Sequence, residues 1–99
     1  MVLCIYENER LLYSTTKTNP LLFNVVKGFN EIASRSYGDT VRTISIGPFV
    51  VSVIMDGQYT VFSVDDSPRD LRRIYSELLK MTAEGNGDDF GRLESLLNN

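Results

Sequence analysis

The stretch FVVSVIMDGQYTVFSV, residues 49–64, decides the fold class. Phe49 to Met55 is a near-continuous apolar run, and Gln58 to Val64 returns as a second strand with Tyr59, Val61 and Phe62. Between them lies Asp56-Gly57. That dipeptide suits a type I′ turn, whose central residues both need φ above zero. Upstream, Val41 to Ile46 (VRTISI) alternates β-branched and polar residues, and Gly47-Pro48 separates it from Phe49. Three antiparallel strands are therefore expected over residues 41–64.

Moving toward the N-terminus, VLCIY (residues 2–6) and LLYSTT (11–16) flank the polar break Glu7-Asn8-Glu9-Arg10, the pattern of a β-hairpin. TTKTNP (15–20) reads as a loop, and Asn19 before Pro20 is a helix-start signal. Leu21 to Tyr37 follows helical spacing, with Leu22, Val25, Phe29, Ile32 and Ala33 at three- and four-residue steps, and Gly38-Asp39 ends it. Toward the C-terminus, DDSPRD (65–70) opens a second helix, with Ser67 as N-cap, Pro68 at the first helical position and Asp70 facing the first free amides. Leu71, Ile74, Tyr75, Leu78 and Leu79 form its apolar stripe; Arg69, Arg72, Arg73, Glu77 and Lys80 fill the other face. Glu84-Gly85-Asn86-Gly87 reads as a link, and Asp88 or Asp89 caps a last short helix in which Phe90, Leu93 and Leu97 align. The order β-β-α-β-β-β-α describes one α+β domain over residues 1–99. Its core is expected over 2–81, with a linker and a short C-terminal helix over 82–99.

The chain's 99 residues suit a single core that buries roughly 60–70% of the unfolded surface. At 42% hydrophobic and 23% charged, the composition excludes a disordered chain. No apolar run approaches the ~20 residues of a membrane helix, and Glu7 to Arg10 cut short anything like a signal peptide. Integral membrane insertion is therefore not expected, and the expected compartment is the cytoplasm. The lone Cys4 sits in an apolar strand and reads as a small buried hydrophobe. A net charge of −3 and a pI near 4.8 argue against nucleic acid as a partner.

The chain has no histidine, which removes the commonest general base and metal ligand. One cysteine gives no zinc spacing, and no phosphate-cradling or dinucleotide motif is present. Asp65 and Asp66 read as turn and capping residues rather than as paired catalytic carboxylates. EGNGDDFGRLE (84–94) fails the spacing of a calcium loop. No catalytic residues, metal or cofactor are expected. An enzyme built on Asp65, Asp66 and Tyr59 would lack a base titrating near neutral pH. Arg69, Arg72, Arg73 and Lys80 offer either an anion- or partner-binding face or a solvated one, with Arg73 and Glu77 as an i,i+4 pair.

Two surfaces stand out as interface candidates. The apolar positions of the first helix cover a wider arc than one sheet buries. Phe23 falls on the far shoulder near Tyr37, with Val26 between, so these residues meet either a second body or a covering segment of the same chain. The strand Val41-Arg42-Thr43-Ile44-Ser45-Ile46 follows the helix crossover and, if it lies at a sheet edge, invites another strand. Arg42 then guards that edge or sets its register.

The element order, the opening strand Val2 to Tyr6, the stretch DGQYTVFSVDD (56–66) and the following RRIYSELL (72–79) resemble longin domains, and more distantly roadblock domains. The likeness covers about residues 2–81. It implies a five-stranded antiparallel sheet in the order 2-1-5-4-3 with helices on both faces. It implies a non-catalytic protein-interaction module: a homodimeric scaffold or regulator docking on a small GTPase or trafficking partner. Neither the coiled-coil segment of longin-type SNAREs nor the extra N-terminal helix of roadblock proteins is expected from these residues. Roadblock-like dimers join through the crossover helix and the next strand, here Phe23, Val26, Tyr37, Val41, Arg42, Thr43 and Ile44. The competing reading is a profilin- or PAS-like sensor of a small ligand, which needs a cavity.

Overall fold

Near-continuous apolar runs in the central strands, whose successive side chains point to opposite faces, build the sheet. In the computed structural model, residues 2–15, 20–37, 43–56, 58–85 and 90–98 are described. Strands β1 (Val2–Glu7) and β2 (Arg10–Ser14) form the first hairpin; helix α1 (Pro20–Tyr37) follows; then come β3 (Thr43–Ile46), β4 (Phe49–Asp56) and β5 (Tyr59–Asp65). Helix α2 (Arg72–Ala83), a short α3 (Gly91–Glu94) and a 3₁₀ turn (Ser95–Asn98) complete the chain. The sheet is open and antiparallel throughout, in the order β2-β1-β5-β4-β3. The fold is therefore α+β, as expected.

Each face of the sheet has its own core. Leu3, Ile5 and Val61 point to one side and pack under Leu71, Ile74, Leu78 and Met81 of the α2 region. Cys4, Tyr6, Val51, Val53 and Phe62 point to the other and pack under Phe23 and Val26 of α1. This is the strict two-residue period of a pleated strand, applied to a sheet buried on both sides. Each fully buried Leu, Ile, Val or Phe side chain contributes roughly 1.5–3 kcal/mol. Leu93 is also wholly buried against the α2 face, and Phe90 meets Tyr13 with ring centroids 5.8 Å apart. The expected core of residues 2–81 is thus too short: the last turns of the chain seal the edge of that layer.

Three local expectations are corrected. In the β4–β5 hairpin, Asp56 pairs with Tyr59 and so ends its strand rather than belonging to the turn. Gly57 itself lies outside the described residues. Helix α2 begins at Arg72, not Pro68. Long-range and local bonds hold the approach segment out of helix: the Arg69 N–H donates to Ser52 Oγ on β4 (2.8 Å), and the Arg69 guanidinium donates to Asp65 (2.6 and 2.8 Å). Asp70 does meet a first-turn amide, its Oδ1 accepting the Arg72 N–H at 3.1 Å. The third correction concerns the rotation of α1 and belongs to the site below.

Candidate functional site

Helix α1 is turned about its axis relative to its expected inward face. Phe23 (6% exposed) and Val26 (fully buried) lie against the sheet, with the Phe23 ring stacked on Tyr6 at 4.0 Å. Val25 (40%) and Phe29 (48%) face out instead. Phe23 and Val26 are therefore core residues of the single subunit and not surface contacts. The physical reason is the Tyr6 ring, a flat partner on which the Phe23 ring stacks with 8° between the planes. Tyr6 itself is buried, and its phenol titrates above the usual value because burial, and then Cys4, disfavours the charged form.

Lys27 joins the helix to the first hairpin through an exposed ion pair. Its Nζ donates to Glu9 Oε1 at 2.6 Å, on the turn of the first hairpin. At about 100° per residue, Leu22, Val25 and Phe29 fall on the opposite flank of α1. The apolar flank is thus turned away from the β1–β2 hairpin.

Strand β3 forms one edge of the sheet. Thr43 is exposed and Ile44 half-buried beneath α1; Ile46 (40%) and Phe49 (53%) flank a two-residue turn at Gly47-Pro48. Gly47 has φ +59°, which suits the first central position of a mirror-image hairpin turn. Position parity puts Ile44, Ile46 and Phe49 on the α1 side of the sheet. The opposite edge, β2, differs. It is broken by a bulge where Leu12 intervenes between the pairs Ile5–Tyr13 and Tyr6–Leu11, and Arg10 stands at its start. Bulges and charges are how proteins blunt an edge; β3, with sequence TISI, carries neither. Val41 and Arg42 lie outside the described residues, as does the side chain of Tyr37, the last residue of α1.

The basic face is largely self-neutralised. The Arg69 guanidinium is held by Asp65, and Arg72 by Asp70 at 2.7 Å. Backbone donation from Asp66, then Arg69, keeps the Asp65 carboxyl below its usual range; Arg72 draws Asp70 down to about 2. Glu77 pairs with Lys80 and Arg92 rather than with Arg73, which stands exposed on α2. The structure does not gather Arg69, Arg72 and Arg73 into one open anion site.

Between α1 and the hairpin tips lies an open groove of about 440 Å³, lined by Asn8, Glu9, Phe23, Lys27, Met55, Gln58 and Thr60. Sequence reasoning missed it, because Glu9 and Lys27 are 18 residues apart and nothing local links them. Among the described residues no group of three acidic, cysteine or histidine side chains is placed to hold a metal ion, and no helix is long and apolar enough to cross a membrane. No protein-family model and no curated protein matches the chain.

Proposed function

We propose that this chain is a non-catalytic docking domain of longin or roadblock type, a scaffold or regulator that pairs with a second copy of itself and engages a small GTPase or trafficking protein. One observation carries the reading: four large apolar side chains, Val25, Phe29, Ile46 and Phe49, stand exposed on the flank of α1 and around the uncharged edge strand β3. An open strand edge supplies main-chain hydrogen bonds and neighbouring apolar groups supply burial, the two ingredients of strand addition. The interface residues are then Val25 and Phe29 in place of Phe23 and Val26, with Thr43 and Ile44 retained on the strand.

Sedimentation equilibrium tests the self-association. The unaltered chain sediments as a dimer, and Phe29→Asp, which alters only an exposed side chain, sediments as a folded monomer. A wild-type monomer at about 100 μM, a concentration well above a micromolar Kd, refutes the pairing. Capture experiments with nucleotide-loaded small GTPases test the second partner.

A further inference from the structure

The groove beside α1 combines an apolar floor with two opposite charges at its rim. Phe23 and Met55 supply the floor, and Glu9 and Lys27 the charges, from two different elements. Its walls are held in place. Phe23 is pinned by stacking on Tyr6, and the Asn8 N–H donates to the Gln58 carbonyl at 2.7 Å, tying one hairpin tip to the other. A volume of about 440 Å³ falls within the size range of small-molecule sites, roughly 300–1,000 Å³.

We propose that this groove binds a free α-amino acid with an apolar side chain, its ammonium on Glu9, its carboxylate on Lys27 and its side chain against Phe23 and Met55. Charge complementarity selects the ligand. Glu9 and Lys27 meet at the groove rim, so a ligand whose two charges sit on one α-carbon takes their places with a small opening of the pair. A dipeptide, with its charged ends further apart, requires a wider opening. The Glu9–Lys27 pair is exposed and water-screened, so it opens at little cost, and a zwitterion replaces it charge for charge. No ion is left unpaired. The groove lies on the flank of α1 opposite Val25 and Phe29, so this site and the proposed docking surface stand or fall separately.

The test is a chemical-shift titration of the full chain with L-leucine, L-methionine, N-acetyl-leucine and leucinamide. Leucine and methionine bind with a Kd of about 1 mM or below, shifting Lys27, Phe23 and Met55; loss of either ligand charge weakens binding about tenfold or more. Glu9→Gln and Lys27→Met each weaken binding by a similar factor while leaving the unliganded fold intact. The proposal is overturned if neither amino acid binds at about 10 mM, if the blocked compounds bind equally well, or if both variants bind as the parent does.

Discussion

Two phenylalanines six residues apart on one helix should respond oppositely to truncation. Phe23 is buried and stacked on Tyr6, whereas Phe29 is nearly half exposed. Emptying a core site from Phe to Ala costs about 3–5 kcal/mol through lost transfer and cavity terms. The ring stack adds about 0.5–1.5 kcal/mol beyond area, but the shallow groove beside Phe23 lets solvent enter, so the lower part of the range applies. For a domain of this size each kcal/mol moves Tm by about 4–8 °C, so Phe23→Ala lowers Tm by about 12–24 °C. Since total stability is about 5–15 kcal/mol, the variant remains foldable in the cold. Phe29→Ala changes stability within about 0.5 kcal/mol. The measurement is thermal and urea unfolding by circular dichroism in dilute solution, where subunit exchange does not contribute. Equal losses at the two positions, or a larger loss at Phe29, would show that α1 is not rotated as described.

The neighbouring serines Ser52 and Ser63 face each other across β4 and β5, yet only Ser52 has a described partner. Ser63→Ala, which removes a buried hydroxyl with no bond, is expected to be neutral or stabilising by about 1 kcal/mol, whereas Ser52→Ala costs about 0.5–1.5 kcal/mol by freeing the Arg69 N–H; urea midpoints moving the same way for both would contradict this. Asp70, held near 2 by Arg72, is depressed relative to its unfolded value near 4, so its contribution is complete above pH 4 and is lost as pH falls toward 2. Asp70→Asn should flatten that part of the stability–pH curve, and superimposable curves would rule the contribution out. Leu93→Ala, which empties a fully buried site near the chain end, should cost about 2–5 kcal/mol; a loss below about 0.5 kcal/mol would mean the C-terminal turns do not seal the core.

The sheet was legible because its signal is redundant. Short apolar runs rich in β-branched and aromatic residues are punctuated by turn residues, so the class and element order follow from 41–64 and its flanks. The rotation of α1 was not legible, because Leu21, Leu22, Phe23, Val25, Val26 and Phe29 are apolar around most of the helix and periodicity cannot choose among faces. Tertiary contact chose: Phe23 met Tyr6. The start of α2 failed for a similar reason. Ser67-Pro68 is a sound cap by local rules, but a bond from Arg69 to a strand 17 residues earlier overrode it. Leu93 was visible as part of a stripe, but its reach into the core depends on where the link lands.

The central pairing of β1 with β5 carries a consequence for how the chain acquires its shape. Both hairpins close locally, yet Val2 must find Val64 before either layer can form. Joining them closes a loop of some sixty residues, an entropic toll met before burial returns anything. During synthesis, the first hairpin therefore waits, half-made and greasy, until β5 has emerged from the ribosome.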